Sequence, residues 1–385
     1  MRKLYSVFAI TSLLLVSQFS FSQNSPWEFL TTNEAAKTAH DQAEVYTGLR
    51  LDEQAMRKAL KYAFQDRSTE VVVPMPDGTL STCVIWQSAV LPNALANKYP
   101  GIKTYGGYVK DAPEQWVRLD FTYQGFHALI GSDEGITAIA PQEAGVPGTY
   151  ISYYKHDQEF KGMRDCGYDL IPRNVKHAEE RARARAFGPG VKEEIRRARQ
   201  KFNGNLLFFR LAVAATGEYS ANHGGTKPLV LSAITTSINN LNAIVGRDVN
   251  VQFQLVVNND MLIYLNAGTD PYDPTDAFDM LDSNQVVCDR LIGAANYDIG
   301  HVIAHANQGG IASSPGTCVG AFKGQGYSSN IPSSGPSFDI DYLAHEIGHQ
   351  LGSPHNFSAT SCQNAEASSL YEPGSGSTIM CYAGT

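Results

Sequence analysis

Three histidines and one glutamate near the C-terminal end of this chain stand at a spacing that suits a metal ion. The stretch His345-Glu346-Ile347-Gly348-His349-Gln350-Leu351-Gly352-Ser353-Pro354-His355 reads H-E-x-x-H-x-x-G-x-x-H. Residues four apart on a helix lie one above the other, so His345 and His349 share a face and can hold one ion. Zn²⁺ is the usual occupant of such a pair. Glu346 sits about 100° around the axis from the first histidine. There it stays off the metal and is free to take a proton from a metal-activated water. Gly352 lets the chain leave the helix with positive φ, after which His355 can turn back as a third ligand. Three protein ligands leave one coordination position open, the arrangement of a catalytic zinc rather than a structural one.

The element that must carry these residues reads as a helix with Ser337 as its N-cap and Asp339 and Asp341 in its first turns. Ile340, Leu343, Ala344, Ile347 and Leu351 fall on its core face, and Tyr342, His345, Glu346 and His349 look towards a cleft. Upstream the pattern alternates. Leu206 to Ala214 reads as a buried strand and Leu229 to Val245 as a helix with Ile234, Ile238, Leu241 and Val245 on one face. Val249 to Val257 reads as a strand, Asn284 to Ile292 as a helix and Tyr297 to Ala304 as a strand; a glycine- and serine-rich stretch follows from Gly309 to Pro336. Strand–helix–strand order over 205–385 predicts an α/β domain. His301 and His305 are read as cleft or core residues, not ligands.

The preceding units differ in character. Residues 1–22 combine Arg2 and Lys3 with a short apolar run and a Ser20-Phe21-Ser22 end, the pattern of a signal peptide, so a secreted protein is expected. No other stretch is long and apolar enough to predict membrane insertion. Residues 23–172 read as a β-rich domain, with a helix over Leu51–Gln65 and strands at 71–73, 83–86, 116–123, 125–130 and 149–154. Its histidines, His40, His127 and His156, are scattered and read as surface or core residues. Residues 173–204 form a basic linker broken by Gly188-Pro189-Gly190, either a solvated helical connection or a processing segment. From Asn205 onward fifteen acidic residues face five basic ones, a formal balance of −10. With a whole-chain charge of −8, no nucleic-acid partner is expected.

Six cysteines in an exported chain predict disulfides. Cys362 with Cys381 and Cys288 with Cys318 is the first of the three pairings open to the four late ones. Asp270, Asp273, Asp276 and Asp279 cluster in a loop, which makes Ca²⁺ a weaker option because their spacing matches no EF-hand.

Ser377-Thr378-Ile379-Met380-Cys381-Tyr382 follows His355 by some two dozen residues. With this turn downstream of the three-histidine motif, the chain resembles the metzincin metalloproteases. Arg210 to Tyr219, Ala295 to Val302 and Phe338 to Tyr342 resemble the reprolysin (adamalysin/ADAM) group in its bacterial secreted form. The resemblance implies an α/β metzincin catalytic domain over 205–385, with a twisted mixed sheet, an active-site helix and a methionine turn, preceded by a β-rich propeptide domain. It implies Tyr297 to Ala304 as the edge strand that pairs with a peptide substrate, and Met380 as the floor of the site. Tyr382 would ligate the zinc or bind the oxyanion, or else simply pack in the turn. Met163-Arg164-Asp165-Cys166-Gly167 resembles a cysteine switch, in which Cys166 would be an inhibitory ligand; the competing reading is a Cys83–Cys166 disulfide. Asn356 stands where reprolysins carry Asp, and family members continue past the position of Thr385, so a truncated form is expected. The function implied is a secreted zinc-dependent endopeptidase made as a latent zymogen. It would act as a monomer on protein or peptide substrates, with its own propeptide as partner. The alternative is a non-catalytic adhesion module on the same scaffold, against which the intact Glu346 argues. If the basic linker docks on the acidic domain, the affinity of a separated pro-segment should fall as salt rises; an affinity indifferent to ionic strength, read by calorimetry, would refute the docking.

Overall fold

The computed structural model describes residues 25–31, 43–133, 135–143, 146, 148–158, 206–359 and 369–381. The expected signal peptide and basic linker, with His40, Cys166, Cys362 and Tyr382, lie outside the described residues.

Alternating apolar residues build an antiparallel sheet in the first domain. Its strands are β1 (Trp27–Phe29), β2 (Thr47–Leu51), β3 (Thr69–Pro74), β4 (Leu80–Ser88), β5 (Lys103–Val109), β6 (Ala112–Thr122), β7 (Gly125–Ser132), β8 (Gly135–Pro141) and β9 (Thr149–Tyr154), in the order β1-β2-β9-β8-β7-β6-β5-β4-β3. The five expected runs fall on β3, β4, β6, β7 and β9. The expected helix over 51–65 is shorter, because Asp52 Oδ1 accepts from Ala55 N at 2.9 Å and starts α1 (Glu53–Leu60) there. Met56 and Leu60 of α1 pack on one sheet face with Ile85, Val117, Leu119 and Phe121. The alternate residues, such as Arg118 and Asp120, point to the second domain.

That second domain contains a mixed sheet of β10 (Leu207–Ala215), β11 (Val251–Leu255), β12 (Ile299–Ala304), β13 (Gly309–Ala312) and β14 (Gly326–Ser329), ordered β11-β10-β12-β14-β13. All pairings are parallel except β13 on β14. One expectation changes here. Tyr297–Ala304 is not an edge: β12 lies between β10 and β14, and the edge is β13. The glycine- and serine-rich stretch contains two strands, β13 (GGIA) and β14 (GYSS). Their small residues lack the β-branched signature, and ladder hydrogen bonds make them strands.

Between β4 and β5 lies α2 (Asn93–Lys98); α3 (Gly217–Asn222), α4 (Lys227–Asp248) and α5 (Ala277–Leu291) belong to the second domain. By length and composition α4 could cross a bilayer, but 83% of its apolar window is buried in protein. Ile234, Ile238, Leu241 and Val245 enter the core as expected. Its other side is polar and meets the first sheet: Asn239 Nδ2 donates to Leu119 O at 2.9 Å and Thr236 Oγ1 to Asp120 Oδ1 at 3.0 Å.

The two domains share one apolar core. Val90, Leu91, Leu95, Tyr99 and Ile102 of the first domain join the cluster formed by β10, β11 and α4. Leu255 N donates to Val90 O at 2.8 Å, which covers the outer edge of β11. Leu95→Ala should therefore cost about 2–5 kcal/mol. All three tryptophans lie in the first domain. Loss of their native fluorescence in denaturant should coincide with loss of metal binding by the second domain, at a lowered midpoint in the variant. Separate transitions would show that the core is not shared.

Candidate metal centre

The chain enters the site through a π-helical turn, Phe338–Leu343, that runs into α6 (Ala344–Gln350). Leu343, Ala344 and Ile347 are buried in the main core, with Leu351 against it. Tyr342, expected in the cleft, is also in that core and stacks on Phe338. The extra residue of a π-turn moves the preceding side chains by about 100° around the axis, which explains the shift. Ser337 stands at the N-cap position as expected but makes no capping hydrogen bond: its backbone is already helical, and its Oγ donates to Gln158 Oε1 of the first domain at 2.7 Å. Asp341 accepts from Lys155 Nζ at 2.8 Å, also across the domains. Asp339 accepts from Asn240 Nδ2 at 2.8 Å, and burial pushes its carboxyl up to about 6.

Gly352 has φ +101°, and Ser353 N returns to Gly348 O at 3.0 Å, closing the helix end as the motif requires. The chain then brings back His355. The Nε2 atoms of His345, His349 and His355 lie 3.1, 3.2 and 3.1 Å apart, and all three residues are buried. A tetrahedral zinc with bonds of about 2.0–2.1 Å spaces its ligands about 3.3 Å apart, so the triangle is of the right size. His345 Nδ1 donates to Ile379 O at 2.6 Å and His349 Nδ1 to Ser353 O at 2.8 Å. A proton on Nδ1 leaves a lone pair on Nε2 and fixes the ring, as metal-binding histidines require. Burial and the neighbouring His355 push His345 down to about 3, keeping it in the neutral, ligating form. Among the described residues this is the one cluster of His, Cys, Asp or Glu that could hold a metal.

Glu346 is buried beneath the edge strand. A Cβ on Gly310 of β13 would lie 2.5–2.7 Å from its Cγ, Oε1 and Cδ. Met380 lies under α6, where a Cβ on Gly348 would overlap its Sδ. The segment after His355 is tied to this turn through Glu372, which accepts from Asn356 Nδ2 at 2.8 Å and from Ser377 N at 2.7 Å. Hydrogen bonds, led by that from Thr378, hold the Glu372 carboxyl down at about 2. Asn356 thus uses its amide as a donor, which the aspartate of the resembling group could not do.

His301 is buried in the core, and His305 Nδ1 lies 2.9 Å from Ser333 Oγ. Gln350 Nε2 donates to Gly300 O at 2.8 Å, so its Oε1 must accept, and His301 Nδ1 donates to it at 2.9 Å. His301 Nε2 then accepts from Ser328 Oγ at 2.9 Å. This network joins β12 and β14 to the end of α6. Nothing in the motif pointed to Gly310, Glu372 or Gln350, because their parts depend on contacts distant in sequence.

Two expectations fail. Cys288 and Cys318 are free thiols, as are Cys83 and Cys381. Cys288 is buried against Gly300 of β12 while Cys318 is exposed, and Cys381 Sγ donates to Asn356 Oδ1 at 2.6 Å. The four aspartates do not converge on a Ca²⁺ site. Asp270 accepts from Gly217 N at 2.6 Å, Asp273 from Thr275 N at 3.0 Å, and Asp276 caps α5 through Phe278 N and Asp279 N. Their oxygens serve turns and a helix cap.

Residues 207–385 match the family model described as metallo-peptidase family M12B, reprolysin-like. The second domain is the catalytic unit of a zinc metalloendopeptidase, with an arrangement consistent with the metzincin fold. That domain is similar to the reprolysin-like metallopeptidases. Among solved structures, metalloproteinase-II from Bacteroides fragilis is 13% identical with a TM-score of 0.42, covering 78% of this chain and 85% of that one. A chaperone–substrate complex is 15% identical with a TM-score of 0.29, covering 40% of this chain and 25% of that one. No curated protein matches.

Gly310→Ala should force the Glu346 carboxylate from its place. If Glu346 takes part in the chemistry, the expected result is a fall in kcat of at least tenfold, with zinc content and KM unchanged. Unaltered kcat would mean that the strand yields instead.

Proposed function

We propose that the chain is a secreted zinc endopeptidase, made as a latent zymogen, in which Glu346 is the general base. The observation that carries this reading is the convergence of three buried imidazole nitrogens one residue away from a buried carboxylate. Zinc bound there would supply Lewis acidity and bring the pKa of water towards neutrality. Glu346 would take the proton of the attacking water and hand it to the leaving amine. β13, the edge strand above Glu346, offers its backbone to an extended substrate by strand addition. The part first expected of Tyr297–Ala304 passes to β13. Met380, in the position of a methionine turn, would support the histidines from below.

Secretion rests on the N-terminal signal pattern, and latency on the first domain acting as a propeptide. Its contacts Gln158–Ser337 and Lys155–Asp341 reach the start of the active-site helix. The switch role of Cys166 and the part of Tyr382 belong to this proposal and rest on sequence.

Glu346→Gln should retain stoichiometric zinc yet lose casein hydrolysis by roughly 10²–10⁴-fold. A chelator should abolish activity in the wild type, and added zinc should restore it. A Glu346→Gln enzyme that still digested casein would sink the mechanism.

A further inference from the structure

A cavity of about 510 Å³ opens between the two domains at the starts of β10 and β11. Its floor is a notch in the first sheet. Gly106 of β5 pairs with Trp86 of β4 on one side and Arg118 of β6 on the other, so the three share one face. The missing side chain lets the Arg118 guanidinium lie across β5 beside Trp86; a Cβ there would lie 2.9 Å from Arg118 Nη1. Trp116, two residues along the same face, presses its ring over Gly131 and forms a second aromatic wall. Phe208 and Gln252 close the cavity from the second domain.

The charge inside is unbalanced. Arg118 Nη2 donates to Asn242 O at 3.1 Å, and no carboxylate pairs with its guanidinium among the described residues. Burial lowers it to about 10, so it remains a cation at neutral pH. Arg247, the other guanidinium on the cavity, is already held by Asp248 at 2.5 and 3.0 Å. Among the described residues no Asp or Glu lines the cavity, although the chain as a whole is acidic. A partly desolvated guanidinium favours an oxyanion, and its planar fork matches a carboxylate. Gln65 and Gln252 add amides that both donate and accept, as a sugar hydroxyl does. The volume is within the range of about 300–1,000 Å³ usual for ligand sites.

We propose that this cleft binds an acidic saccharide, with its carboxylate on Arg118, a ring face against Trp86 and Trp116, and hydroxyls on the glutamine amides. A short acidic peptide would supply the carboxylate but few hydroxyls for the two amides. Because Arg118 and Gln252 belong to different domains, the bound saccharide bridges them, at a place that is not the histidine site.

The test is a titration of the full chain with tri-galacturonate, followed by tryptophan fluorescence. Trp86 and Trp116 line the cavity, while Trp27 is buried in the core of the first domain. Saturable quenching is expected, with maltotriose, its neutral counterpart, giving none. Arg118→Gln should weaken binding roughly 10- to 100-fold, the worth of a charge-assisted hydrogen bond. Trp86→Ala, at a partly exposed position, should reduce both affinity and quenching, and it decides the matter if the arginine variant does not fold. Absence of saturation, unchanged affinity in both variants, or equal binding of maltotriose would overturn the proposal. So would tighter binding of an acidic tripeptide, which would assign the cleft to peptide.

Discussion

Three imidazole nitrogens 3.1–3.2 Å apart repel one another whenever each turns the lone pair a metal needs to the same point, and much of the second domain is built to hold them there. Each restraint acts at a different place. The carbonyls of Ile379 and Ser353 orient two of the rings from behind. Gln350, locked by His301 and Gly300, fixes the end of the helix to the sheet. Leu343 and Ile347 anchor its other face in the core. A cation at the focus turns the repulsion into attraction, so metal affinity and folding stability are linked quantities in this domain.

Close approach is the second requirement. Side chains of the active-site helix meet glycine on several sides: Glu346 against Gly310, Gln350 against Gly326, and Gly348 itself against Met380. This gives a steric reason for the poverty of large residues between Gly309 and Pro336. Strands that lie over a catalytic helix at van der Waals distance have no room for the β-branched side chains by which strands are usually recognised.

What could be read from the sequence follows from that. The ligand spacing, the turn at Gly352 and the amphipathic face of α4 are local patterns, and each is where it was expected. β13 and β14 were missed because their composition reflects what they touch rather than what they are. Tyr342 was turned the wrong way by assuming 3.6 residues per turn through a π-helical entry. Ser337 stands where a cap was expected, but tertiary structure gave its hydroxyl another partner, Gln158, some 180 residues earlier. The pairing of Cys288 with Cys318 failed because even numbers of cysteines carry no information about distance.

The shared core has a consequence for any cut in the chain between residues 158 and 206. While the connection is intact, the segment around Leu95 meets β11 and α4 at a fixed effective concentration, whatever the amount of protein. Once cut, the same contacts become a bimolecular association, and the fraction of catalytic domain still covered depends on the concentration of both pieces. Scission alone would then leave a nicked pair. Dilution into the surrounding medium would be what separates it.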